Sequence, residues 1–174
     1  MDTENYKDIL GRIRALVFDV DGVMTDGMVT VFPTGEFVRR MNVKDGFALQ
    51  LAARRGLKII IITGGRDDSI LTRFNRLGIT DIVLNSTSKL EKLLEYRDGY
   101  GIPLEQMLYM GDDVPDIDPM KAVGCAGGAG AGGGREQLLP PRSGRQRRAD
   151  HHRGPPPRGG TGAQGPGKMV RGGF

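Results

Sequence analysis

Residues 57–65 read Leu57-Lys58-Ile59-Ile60-Ile61-Ile62-Thr63-Gly64-Gly65. Side chains alternate between the two faces of a strand, so four successive isoleucines make both faces apolar. A strand of that kind belongs inside a parallel sheet covered by helices on both sides. The neighbouring sequence supplies the helices. Asp45 to Arg55 has a helical pattern closed by Gly56. Asp67 to Leu77 carries Ile70, Phe74 and Leu77 on one stripe, with acidic residues at its start and Gly78 after its end.

The alternation of strand and helix continues on both sides. Arg14 to Val20 (RALVFDV) is an apolar, β-prone run before the isoleucines. After them come a short strand at Asp81 to Leu84, a helix at Lys89 to Arg97 with Leu90, Leu93 and Leu94 facing inward, and a strand at Met107 to Met110. Val29 to Phe32 and Glu36 to Arg40 flank Pro33-Thr34-Gly35 and read as a hairpin. Strands joined by single helices predict an α/β fold with a doubly wound parallel sheet, to which the hairpin adds a small flap. Ligands of such sheets sit at the carboxyl ends of the strands.

Charge is unevenly spread. Residues 1–124 hold 16 Lys/Arg against 19 Asp/Glu, a net of −3, and residues 125–174 hold 9 against 2, a net of +7. The basic character therefore belongs to the tail, and the first 124 residues give no sign of a nucleic-acid surface. The one cysteine, Cys125, excludes an internal disulfide and suits a reducing compartment. No apolar run approaches the roughly 20 residues that a membrane span needs. The polar start MDTENYKDIL does not read as a signal peptide, so a soluble cytoplasmic protein is expected.

The chemistry gathers where strands end. Asp19 and Asp21, two apart at the end of the first strand, can project to the same side. A carboxylate attacking phosphorus needs a divalent cation to screen the repulsion between two anions, and hard cations such as Mg2+ choose oxygen ligands. Asp112 and Asp113 also follow a strand. Thr63 and Gly64 offer a hydroxyl and open backbone N–H groups to phosphate oxygens. Lys89 starts a helix just after a strand, where its ammonium could neutralise phosphate charge. Singly, each has an ordinary structural explanation as a turn residue, a cap or a solvated helix end. Their order along one parallel-sheet chain is what argues for a site.

Asp19-Val20-Asp21-Gly22-Val23, Thr63-Gly64, Lys89 and Gly111-Asp112-Asp113 resemble the four signature motifs of haloacid dehalogenase-type phosphatases, over about residues 12–124. The resemblance implies an aspartyl-phosphate at Asp19, with Asp21 as general acid and then base. It also implies Mg2+ held by Asp19, the backbone carbonyl of Asp21 and Asp112, with Asp113 in support, and a phosphoryl group held by Thr63 and Lys89. Forty-one residues separate Asp21 from Thr63, and 25 separate Thr63 from Lys89. Neither gap can hold a cap domain. The hairpin, followed by Asn42-Val43-Lys44-Asp45-Gly46-Phe47, is similar to the capless 3-deoxy-D-manno-octulosonate 8-phosphate phosphatases, which act in lipopolysaccharide precursor biosynthesis as homotetramers with shared sites. Arg66 could meet a substrate carboxylate or could be a surface residue at a helix start. Phosphatases of nine-carbon sialic-type 9-phosphates share every catalytic motif, and Gly65, where they often carry an acidic residue, tilts the reading toward the eight-carbon acid.

After Gly124 the composition changes. Residues 125–174 include 15 glycines and 6 prolines, too little apolar surface to offset ordering entropy, and are expected to be disordered. Two domains follow, a core at 1–124 and a tail at 125–174. A shifted reading frame would account for the tail. Met169-Val170 must be encoded ATG-GTN, which read one base later contains the tryptophan codon of a family-like Gly-Lys-Trp ending. The alternative is an RGG-like RNA-binding segment, although no aromatic is interleaved before Phe174. His151-His152 lack partners for a metal site. An altered C-terminus also leaves open an assembly-impaired or non-enzymatic remnant.

Overall fold

The computed structural model describes residues 6–128 and the backbone of 137–139. Along the chain run α1 (Tyr6–Arg12), β1 (Ala15–Phe18), β2 (Thr30–Val31), β3 (Phe37–Val38), α2 (Val43–Arg54), β4 (Lys58–Ile62), α3 (Asp68–Arg76) and β5 (Asp81–Val83). Then come α4 (Lys89–Tyr100), β6 (Met107–Gly111), α5 (Ile117–Ala122), β7 (Cys125–Gly128) and β8 (Gln137–Leu139). The main sheet has the order β5-β4-β1-β6-β7-β8. Its first five strands are parallel and β8 is antiparallel to β7.

The isoleucine strand shows why the sheet is covered on both faces. Ile59, Ile60, Ile61 and Ile62 are all buried, and they divide by alternation between two cores. Ile60 and Ile62 join Val17, Tyr109 and Leu93 of α4 on one face. Ile59 and Ile61 join Phe18, Leu49 of α2, and Ile70 and Phe74 of α3 on the other. A doubly wound α/β sheet is thus present as the residue pattern requires.

The hairpin β2–β3 stands apart from the main sheet. Its turn is closed by Gly35 N–H to Phe32 O at 2.8 Å and Phe32 N–H to Glu36 O at 3.0 Å. Between Asp21 and Thr63 lie only this flap, α2 and β4, and between Thr63 and Lys89 only α3 and β5, so no cap domain is present among the described residues. No described helix is long and apolar enough to cross a membrane.

Most element ends shift by a residue or two from the sequence reading, and three of the shifts are instructive. Helix α2 starts at Val43, two residues early, because the Asn42 side chain accepts the Lys44 N–H at 2.9 Å and caps it. Helix α4 runs on to Tyr100 before Gly101 turns left-handed. The ordered core also passes the expected boundary at Gly124, since Cys125–Gly128 pairs in parallel with β6. The reason is that a strand laid against an existing edge gains ladder hydrogen bonds that need no bulky side chain, and the small residues Cys125 and Ala126 fill the buried positions. Composition reflects side-chain burial and carries no signal of these backbone bonds. Strand β8 likewise departs from the expected disorder, pairing antiparallel with β7, while the rest of the tail, His151-His152 included, falls outside the described residues.

Candidate active site

Strand β1 lies between β4 and β6, with Phe18 level with Ile61 and Met110. The segments leaving these three strands therefore share one edge of the sheet, with Asp19 and Asp21 in the middle, Thr63 to one side and Asp112 to the other. The Asp19 N–H donates to Met110 O at 2.9 Å, which continues the pairing to the first catalytic candidate.

Lys89 is the centre of the arrangement. Its Nζ lies 2.8 Å from Asp19 Oδ2 and 2.7 Å from Asp116 Oδ1, with its side chain only 4% exposed. The loop before it is stitched to the Thr63 loop, because Ser86 N–H donates to Thr63 O and Asn85 N–H to Gly65 O, each at 2.9 Å. Asn85 takes up a positive φ of 53° to do so, a conformation that asparagine tolerates better than most residues. Thr63 itself is buried, its Oγ1 accepting the Gly65 N–H at 3.1 Å, while Gly64 is exposed.

Asp116 was not singled out by the sequence, yet it is fully buried. Oδ1 accepts from Lys89 and from the Tyr109 hydroxyl, both at 2.7 Å. Oδ2 accepts the N–H groups of Asp112 and Asp113 at 3.3 Å. Gly111 permits this approach, since a Cβ there would stand 2.4 Å from Asp116 Cβ. The available signal was the spacing Asp112-x-x-x-Asp116, which returns a carboxylate to the strand end after one turn. Asp113, expected to support a metal, instead accepts the Val114 N–H at 2.7 Å and caps its own short turn.

Carboxylate oxygens of Asp19, Asp112 and Asp116 lie within 4.8 Å of one another. The donor set is all oxygen, which fits a hard divalent cation. Asp19 and Asp112 are the better placed to hold one, because Asp116 already accepts four protein hydrogen bonds, two on each oxygen, whereas each Asp19 oxygen has one partner. Gly22 makes room for Asp112: at φ +84° its Cβ would fall 1.7 Å from Asp112 Oδ2. Burial, then the charges of Asp116 and Asp113, push the Asp112 carboxyl above its ordinary range. Burial also raises Asp19, outweighing Lys89. Burial disfavours the Lys89 ammonium, but Asp116 and Asp19 more than compensate and hold it above its usual value. Burial and Asp116 drive the Tyr109 phenol upward, so it stays a hydrogen-bond donor.

The remaining candidates part company. The Asp21 side chain turns to Arg39, whose Nε and Nη2 reach Oδ1 and Oδ2 at 2.7 and 3.1 Å. Arg66 is exposed and makes no ion pair or hydrogen bond among the described residues.

This fold recurs in known proteins. The 3-deoxy-D-manno-octulosonate 8-phosphate phosphatase of Yersinia pestis is 37% identical over 120 residues, 67% of this chain and 64% of that protein. A crystal structure of the Moraxella catarrhalis enzyme of the same name, in complex with magnesium, phosphate and KDO, superposes with a TM-score of 0.65 at 30% identity, covering 69% of this chain and 71% of that one. A haloacid dehalogenase superfamily hydrolase of Legionella pneumophila matches with a TM-score of 0.67 at 29% identity, covering 68% and 66%. The chain belongs to the 3-deoxy-D-manno-octulosonate 8-phosphate phosphatase family of the haloacid dehalogenase superfamily. No family model matches it. As a family member it is short in its matched part, spanning 60% of the length of the Escherichia coli relative of the same name.

Proposed function

We propose that the chain is a magnesium-dependent phosphomonoester hydrolase that releases phosphate from 3-deoxy-D-manno-octulosonate 8-phosphate. The observation that carries the reading is the Asp19–Lys89 pair beside Asp112: a buried carboxylate held by one ammonium, with a second carboxylate free to share a cation. The family relationship supports the substrate class.

In this reading an Asp19 oxygen attacks phosphorus, its new O–P bond forming as the ester P–O bond breaks, while Asp21 gives its proton to the departing alkoxide. Water then attacks phosphorus, Asp21 takes the water proton, and the O–P bond to Asp19 breaks to free inorganic phosphate. Lys89 holds Asp19 in place and, with the Thr63 hydroxyl and Gly64 N–H, receives the phosphoryl oxygens. A magnesium ion held by Asp19, the Asp21 carbonyl and Asp112 would screen the phosphate charge.

The capless edge contains nothing in this set that recognises a sugar acid, so selectivity requires a neighbour. The flap and α2 expose Val31, Phe37, Val38, Val43, Phe47 and Leu51, an apolar surface suited to self-association in a family-like homotetramer. A place in lipopolysaccharide precursor biosynthesis and in the cytoplasm completes the proposal. Phosphate release from eight- and nine-carbon keto-acid phosphates, with magnesium and with EDTA, tests it. The expected result is magnesium-dependent release with preference for the eight-carbon acid. Preference for the nine-carbon acid reassigns the substrate, and no release from either refutes the enzymatic reading.

A further inference from the structure

Arg39 lies one residue beyond flap strand β3, yet its side chain is 7% exposed, buried between two carboxylates from different loops. Nε and Nη2 form a fork on both Asp21 oxygens, at 2.7 and 3.1 Å, and Nη1 donates to Asp67 Oδ2. Asp67 sits four residues past Thr63 and is the residue at the start of α3. One guanidinium therefore ties together the flap, the loop after β1 and the loop after β4.

We infer that Arg39 is a positioning residue for Asp21, holding the carboxyl in the plane from which it serves the leaving group. The inference rests on the proposed phosphatase reading. Three observations separate it from plainer roles. A two-point fork fixes the rotation of a carboxylate, which a single contact or a Lys cannot do. Each Asp21 oxygen keeps a second lone pair, so the fork orients the group without closing it to an ester oxygen or a water. The guanidinium is already shared by two carboxylates, so a substrate carboxylate would have to displace Asp21 or Asp67 to use it.

The chemistry provides a direct test. An alkoxide leaving group needs the proton from Asp21, whereas p-nitrophenolate departs readily without one. The ratio kcat/KM reports the steps through leaving-group departure, so kcat/KM is compared for p-nitrophenyl phosphate, glycerol phosphate and 3-deoxy-D-manno-octulosonate 8-phosphate. Arg39→Ala is expected to lose roughly 10- to 100-fold on both alkyl esters, part of the full value of general acid catalysis, and a much smaller factor on the aryl ester. Arg39→Lys, which keeps the charge but not the fork, is expected to show the same selective loss at reduced size, and supplies the read-out if Arg39→Ala does not fold. Equal losses on all three esters would make Arg39 only a structural tie, and a loss confined to the sugar acid would make it a carboxylate receptor. Either overturns the inference while leaving the phosphatase reading intact. A wild-type chain inactive on every ester overturns both.

Discussion

Lys89 Nζ stands between two carboxylates that cannot both be buried without it, 2.8 Å from Asp19 and 2.7 Å from Asp116. Removing one partner of such a group leaves uncompensated buried charge and costs about 3–5 kcal/mol. Lys89→Met should therefore abolish turnover and lower the melting temperature by roughly 10 °C. Lys89→Met with Asp116→Asn should recover much of the stability but no activity. Thermal unfolding and phosphate release on the two variants check both halves.

Asp19→Asn should eliminate turnover, since an amide is a poor nucleophile and a poorer metal ligand. Retention of a tenth of wild-type activity would remove Asp19 from the nucleophile role. Asp21→Asn should slow both half-reactions, by roughly 100- to 10,000-fold if general acid–base help is lost entirely.

EDTA should silence phosphate release and magnesium restore it, whereas calcium should restore little. The larger and looser coordination shell of calcium would misplace Asp19 relative to phosphorus. Equal rates with the two ions would show that the metal does not position the attack.

How far the sequence led is seen best at the two ends of the site. The strand pattern, Asp19, Lys89 and Asp112 were legible because parallel-sheet geometry brings strand ends together whatever the details of packing. Asp116 and Arg39 were not, because their roles depend on where a turn or a flap returns a side chain, which no periodicity records. The flap signalled only an exposed hairpin, and nothing in its spacing showed that Arg39 folds back to reach Asp21. Cys125–Gly128 was missed for a different reason, since its contribution is made by backbone hydrogen bonds.

Asp67 predicts a pH effect outside the metal cluster. Burial would raise its carboxyl, but Ser69 and Arg39 outweigh burial and hold it below the ordinary value. Its stabilising contribution is therefore complete above the unfolded-state value, about 3.9, and is lost as pH falls through the lower folded value. Denaturation monitored from pH 5 downward should be shallower below pH 4 in Asp67→Asn than in wild type. Identical acid limbs would mean that the Arg39–Asp67 contact adds nothing in solution.

The exposed flap should mediate association. Val31 and Val38 are 61% and 47% exposed on adjacent strands. Light scattering should find a multimer in wild type and a smaller species in the variant Val31→Glu with Val38→Glu. An unchanged mass would move the interface elsewhere.

In the proposed reaction the phosphoryl group passes through Asp19. With p-nitrophenyl phosphate, whose leaving group departs without the Asp21 proton, Asp21→Asn should let the intermediate accumulate, because water then attacks without its base. The variant is mixed with magnesium and p-nitrophenyl phosphate, quenched and reduced with borohydride, which converts an aspartyl-phosphate to homoserine. Peptide mass spectrometry should then find homoserine at position 19 and only where substrate was added. Phosphate release with Asp19 unmodified, or homoserine at another aspartate, would remove Asp19 as the phosphoryl acceptor.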